Sequence, residues 1–139
     1  MADPSSHPEH PHLRLIRDYF DAIEQDVPEP ELARFYSPEI QQREFPNRVS
    51  PTGALRAKRE LLEGRHKGRA VSKDERYTIQ NALVQGDQVA VELTWSAEIK
   101  IPLGALKPGD TLRAHCAVFF RIKAGQIVEQ HNFDCFEPF

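Results

Sequence analysis

The chain has 139 residues, 40% of them hydrophobic and 28% charged, with 18 Lys and Arg against 21 Asp and Glu. That length supports one domain with one core, burying roughly two-thirds of the unfolded chain's surface, and a net charge of −3 argues against a nucleic-acid-binding domain. No apolar run approaches the ~18 residues of a membrane span, and MADPSSHPEHPH has neither the basic start nor the apolar stretch of a signal peptide. Cys116 and Cys135 are too few for a disulfide scaffold and lack metal-type spacing. The expectation is a soluble, cytoplasmic protein that engages neither membrane nor nucleic acid.

Eight of the eleven prolines fall within the first 51 residues. Residues 1–11 read as a flexible tail ahead of a single domain over 12–139. His7, His10 and His12 lie in or beside that tail, which cannot hold a metal's ligand geometry. Leu13, Ile16, Phe20 and Ile23 then mark one buried helical stripe ending before Pro28. Pro30 suits the first turn of a short helix carrying Leu32, Phe35 and Tyr36, closed by Pro38. Residues 40–45 form a short strand stopped by Pro46. Thr52 can cap a third helix through about Glu63, with Leu55, Leu61 and Leu62 inward and Gly64 and Gly68 ending it. Arg56, Lys58, Arg59, Arg65, Lys67 and Arg69, diluted by Glu60 and Glu63, read as a solvated helix face.

The remainder is sheet. Residues 76–85 and 88–101 flank Gly86-Asp87, a hairpin signal. The second of these strands alternates cleanly, with Val89, Val91, Leu93, Trp95, Ala97, Ile99 and Ile101 on one face. After a loop over 102–109, strands 111–123 and 126–136 meet around Ala124-Gly125. A two-residue turn there would set His115 opposite Asp134, a base with its orienting carboxylate. It would also force positive φ on Ala124, which a Cβ penalises. A three-residue turn pairs Ile122 with Gln126, Cys116 with Asn132 and Ala114 with Asp134. The apolar row Leu112, Ala114, Cys116, Val118, Phe120 and Ile122 agrees, leaving Arg113, His115, Phe119 and Arg121 outside with His131, Phe133 and Cys135. Val128, Gln130, Asn132, Asp134 and Phe136 then point inward, a polar series that a dry core would not use. Helices followed by a meander make an α+β fold in which a curved sheet wraps over helices.

In YFDAIEQ (19–25), REFPN (43–47), GDQVAVELTW (86–95) and GQIVEQHNFDCFEP (125–138), the chain resembles the nuclear transport factor 2-like superfamily, close to its SnoaL-like branch. The resemblance implies a cystatin-like roll: a conical, strongly curved, mixed or antiparallel sheet around a central pocket, with homodimers packed through the outer sheet face. It leaves function open, because the fold hosts isomerases, dehydratases, epoxide hydrolases, polyketide cyclases and proteins without chemistry. Tyr19 falls where ketosteroid isomerases place their oxyanion-donating tyrosine; that enzyme is a standard example of such tuning. The isomerase's second acid has no counterpart in the apolar row of Val118 and Phe120. Its base position reads Phe45, one residue from Glu44. Epoxide hydrolases of this fold need Arg and Asp where this chain has Leu93 and Trp95, and an Asp where it has Asn132. Both activities are disfavoured.

Polyketide cyclases of the SnoaL type use an acid/base residue in an apolar pocket, which points to Asp134 or Glu44 with Tyr19 as oxyanion donor. Trp95, Phe120, Val118, Cys116, Gln130, Asn132 and Gln42 are the expected ligand contacts. No cofactor and no metal is implied. The expected function is binding of a small, largely hydrophobic molecule, with cofactor-free isomerase, cyclase or dehydratase-type chemistry on a carbonyl compound. The alternative is a non-catalytic ligand-binding or dimeric interaction module of the same fold.

Overall fold

The computed structural model describes residues 9–139. Most of the expected tail, with His7, lies outside them. Pro11 occupies the first turn of α1 (Pro11–Glu24), where its missing N–H costs nothing. His10 caps this helix, its Nδ1 accepting from the His12 N–H at 3.0 Å. Ile16, Tyr19, Phe20, Ala22 and Ile23 form its buried stripe.

α2 (Glu29–Ala33) is shorter than expected, because Tyr36 and Pro38 belong to β1 (Tyr36–Glu44). Pro38 fits there because the ladder is interrupted: β1 pairs with the last strand at Tyr36 and again only from Gln41. A residue with no N–H to donate is tolerated at such a gap. The third helix also starts later than Thr52. Gly53, at φ 67° with its α-carbon face against the Glu44 carbonyl, turns the chain back on itself. Ala54–Arg56 becomes β2, antiparallel to β1, and leaves Leu55 63% exposed rather than buried. α3 (Lys58–Gly68) follows, its entry marked by the Glu60 side chain accepting from the Ala57 N–H at 3.2 Å. It runs through Gly64 and ends at Gly68.

β3 (Ser72–Gln85) begins before the expected Arg76, and β4 (Gln88–Ile99) stops short of Ile101, which is exposed. β5 (Thr111–Lys123) and β6 (Gln126–Phe136) have the expected bounds. The six strands form one curved, unclosed mixed sheet in the order β2-β1-β6-β5-β4-β3, with only β1–β6 parallel. α1 packs on the sheet with Val89, Val91, Leu93, Val118, Phe120 and Ile127 in a single core.

The β5–β6 turn is the two-residue form after all: Lys123 pairs with Gln126, and Ala124 and Gly125 both have positive φ, 51° and 72°. The ladder then slips between Arg121 and Ile122, leaving Val128 as an extra residue on β6. That bulge restores the expected inward set from Gln130 onward but slides the register by two. Cys116 therefore faces Asp134, Val118 faces Asn132, and His115 faces Cys135. Ile127, fully buried, takes the inward place expected of Val128. His115 lies on the outer face with its Nε2 2.7 Å from Glu92, so no His115–Asp134 dyad exists.

A Cβ in the left-handed region costs about 1 kcal/mol, partly offset when glycine replaces it by the freer unfolded chain. Ala124→Gly should stabilise the protein by about 0.5–1 kcal/mol, and Ala124→Val should destabilise it by more than about 1 kcal/mol. Urea denaturation of the two variants checks both signs.

Candidate active site

The concave side of the sheet and α1 enclose a cavity of about 380 Å³. Its apolar wall comes from Phe20 and Ile23 of α1, Leu93 and Trp95 of β4, Val118 of β5 and Phe136 of β6. The polar wall is β6, whose alternate residues Gln130, Asn132 and Asp134 all reach it, joined by Glu44 from β1 and Tyr19 from α1. Period-two alternation does this: each strand shows one face to the cavity, and the bulge at Val128 has set which face β6 shows.

The polar groups are organised by direct hydrogen bonds. Tyr19 is 3% exposed, with its hydroxyl 2.8 Å from that of Tyr36 and donating to Gln130 Oε1 at 3.5 Å. Gln130 Nε2 and Gln42 Nε2 both donate to Asn132 Oδ1, at 3.1 and 2.9 Å. Arg56 Nη1 donates to Gln42 Oε1 at 3.0 Å and to Glu44 Oε1 at 2.9 Å, and Asn47 Nδ2 donates to Glu44 Oε2 at 2.8 Å.

The three cavity carboxylates are held differently. Glu44 is paired with Arg56. Glu75 accepts from Trp95 Nε1 at 3.1 Å and is ion-paired with Arg65, whose second nitrogen donates to the Ile23 carbonyl at 3.0 Å. Asp134 has no cation partner among the described residues. Burial raises its carboxyl above the ordinary value; contact with the Cys116 thiol opposes the shift and nearby Glu44 adds to it. The same burial, with Asp134 beside it, pushes the Cys116 thiol far up, so Cys116 stays a neutral wall residue. Burial also raises Tyr19, and raises Tyr36 and Tyr77 strongly, so the three phenols keep their protons at neutral pH.

Of the ten residues expected at the site, the structure brings together Tyr19, Glu44, Trp95, Cys116, Val118, Gln130, Asn132 and Asp134. Phe120 is not on the wall: it packs beneath, edge-on to Tyr19 and Phe20. Gln42 sits one layer behind Asn132. Glu75, Tyr77, Tyr36, Arg56 and Arg65 were not expected. The signal for Glu75 is the Tyr77–Ile79 alternation, which extends back by two because β3 begins at Ser72 rather than Arg76. The basic stretch is likewise not one solvated face. Arg56 and Arg65 turn into the site, Lys58 Nζ donates to the Tyr36 carbonyl at 3.0 Å, and Arg69 pairs with Asp26. Only Arg59, bridged to Glu63, behaves as expected among these cations that have partners.

The SnoaL-like domain model matches residues 16–130, and the chain belongs to that family. Solved structures with the same fold include IdmH of Streptomyces antibioticus, described as a candidate polyketide cyclase. It has a TM-score of 0.73 and 21% identity over 90% of this chain and 92% of that one. A candidate SnoaL-like polyketide cyclase from Jannaschia has a TM-score of 0.71 and 17% identity over 96% and 91%. An NTF2-like protein of unknown function from Burkholderia pseudomallei has a TM-score of 0.74 and 13% identity over 91% and 92%. No curated protein sequence matches the chain. Among the described residues no helix is long and apolar enough to cross a membrane.

A carboxyl whose folded-state pKa is raised binds its proton more tightly when folded, so stability falls as pH rises from the unfolded value through the folded one. Above that window ionised Asp134 is a net cost, and below it the cost vanishes. Asp134→Asn should therefore raise the melting temperature at neutral pH and lose that advantage near pH 3. Thermal melts of both proteins across pH read the difference.

Proposed function

We propose that the cavity binds a small, largely apolar carbonyl compound and that Asp134 removes a proton from the carbon next to the carbonyl. One observation carries this reading: Asp134 is the cavity carboxylate without a cation, in a wall that raises its pKa towards the working range of a general base. Glu44 and Glu75 each already spend carboxylate oxygens on an arginine, which leaves fewer lone pairs free to take a substrate proton. In the step, the C–H bond breaks, its proton goes to Asp134 and its electron pair moves to the carbonyl oxygen as an enolate. Tyr19, a neutral phenol, orders the wall beside that oxygen through its contacts with Tyr36 and Gln130. Asp134, protonated in that step, then returns the proton at a different position, while Glu44, held by Arg56 and Asn47, lines the same cavity. Isomerisation, cyclisation and dehydration all begin this way, and the polyketide cyclase descriptions of the related structures fit an aromatic or polyketide-like substrate.

A second reading has its own support. Gln42, Gln130 and Asn132 hydrogen-bond to one another without any ligand, as they would in a binding module with no chemistry. Proton exchange separates the two. In deuterated buffer the protein should speed exchange of the α-protons of tetralone, read by proton NMR, and Asp134→Asn should reduce that rate about 10²-fold or more. Glu44→Gln should cost less. No acceleration by the wild-type protein across a panel of aromatic ketones would favour the binding module.

The outer sheet face is the proposed dimer interface. Phe119 is 48% exposed there, and Phe133 is stacked on Phe45 at 4.3 Å with Phe119 edge-on to it. Contiguous exposed aromatics of this kind suit a second copy of the chain. Phe119→Glu should convert a dimer to a monomer in light scattering without lowering the melting temperature of the isolated fold. The two free thiols suit a reducing, cytoplasmic setting.

A further inference from the structure

Amide side chains are ambiguous in orientation until a partner of fixed character settles them. Arg56 is such a partner, because a guanidinium can only donate. Its Nη1 meets Gln42 at 3.0 Å, so the Gln42 atom there is the oxygen, and Gln42 Nε2 must point the other way. That nitrogen meets Asn132 at 2.9 Å, so the Asn132 atom there is its oxygen too. Gln130 agrees from the opposite side: with its Oε1 towards the Tyr19 hydroxyl, its Nε2 donates to Asn132 Oδ1 at 3.1 Å. Two donors on one oxygen fix the plane of the Asn132 amide from both flanks.

Asn132 Nδ2 is what remains. It has no hydrogen-bond acceptor among the described residues, yet no fully enclosed side-chain nitrogen or oxygen there lacks a partner, so Nδ2 keeps open surface. Asn132 is on the cavity wall, and it precedes Asp134 by two residues on the same face of β6. The Tyr19 hydroxyl, in contrast, is already engaged within the wall by Tyr36 at 2.8 Å and Gln130 at 3.5 Å. We infer that Asn132 Nδ2 is the donor that recognises the ligand's carbonyl oxygen beside the Asp134 carboxylate, and that Arg56, acting through Gln42, is the positioning residue that keeps this nitrogen rather than the oxygen facing the ligand. The inference rests on the reading of the cavity as a carbonyl site and names the group that selects for the carbonyl. It also defines a substrate class: flat, mainly apolar ketones whose oxygen reaches β6, in preference to alcohols whose proton would find no acceptor at Nδ2.

Fluorenone and fluorene are a matched pair of probes, alike in shape and differing in the carbonyl. Calorimetric titration of the wild-type protein should show fluorenone bound about tenfold more tightly, the worth of one neutral hydrogen bond. The infrared carbonyl stretch of bound fluorenone should fall below its value in an apolar solvent. The side-chain amide resonances of Asn132 should move with fluorenone and not with fluorene, a measurement that needs no variant. Asn132→Asp keeps an acceptor for Gln42 and Gln130 but removes the donor, so the preference and the infrared shift should both be lost. Arg56→Gln, which lets Gln42 turn over, should weaken the shift while fluorene binding stays the same. Equal preference for fluorenone in wild type and Asn132→Asp overturns the assignment, as does loss of the shift in Tyr19→Phe or Tyr77→Phe instead. In that case tetralone exchange that still depends on Asp134 leaves the base in place. If neither probe binds, the carbonyl-site reading falls along with the donor.

Discussion

Three polar side chains of one strand, Gln130, Asn132 and Asp134, have to face the concave side of a sheet whose neighbouring strand presents Cys116, Val118 and Phe120. An amide left unpaired in such a place costs on the order of 1–3 kcal/mol, a large share of a domain's net stability. The fold accommodates them by lending partners from elsewhere: Tyr19 from α1, Gln42 from β1 and, behind Gln42, Arg56 from β2. The parallel β1–β6 pairing makes this possible, because it aligns Gln42 with Gln130 and Glu44 with Asn132 on a common face. Without β1 beside β6 the polar row would be a defect. With it, the row becomes a fixed wall.

The same economy governs charge. Glu44 and Glu75 each meet an arginine from the segment around α3, so neither is a lone buried charge. Asp134 has only a thiol against it and answers burial by holding its proton more tightly. Glu75 also fixes the indole of Trp95, the one tryptophan of the chain, by accepting its N–H. The apolar and polar walls are therefore each oriented by hydrogen bonds that involve a carboxylate or an amide with no freedom to turn.

Much of this was legible in the sequence. Alternation in 111–123 identified the inward row of β5, and parity carried that assignment across to Gln130, Asn132 and Asp134. The turn departs from that expectation, since Ala124 does adopt positive φ, yet the bulge at Val128 restores the parity. Faces survive a shift of two, whereas partners do not, and so Cys116 rather than Ala114 lies opposite Asp134. β2 was hidden because Leu55 looks like a helix's inward residue, and nothing local in the sequence shows that Gly53 turns the chain back against β1. Arg56 and Arg65 were hidden for a related reason. A cation's partner is set by which strand passes beneath it, and the pairing of β1 with β6 and the packing of α3 on β1 are long-range facts.

α3 ties these features together. None of its residues is fully buried, and Leu61 and Leu62 only lean on the core, so apolar contact alone holds it weakly. What seats it is polar: Lys58 on the Tyr36 carbonyl, and Arg65 on the Ile23 carbonyl and Glu75. Arg56, just before the helix, belongs to the same set, and its second task is to orient Gln42. The bonds that seat this helix against the cavity are thus continuous with those that fix the direction of the Asn132 amide. Displacement of α3 that drew Arg56 away from Gln42 would release Gln42 to turn over and leave the Asn132 amide held from the Gln130 side alone. The orientation of the donor on β6 is in this way conditional on the seating of a helix that contributes little to the core.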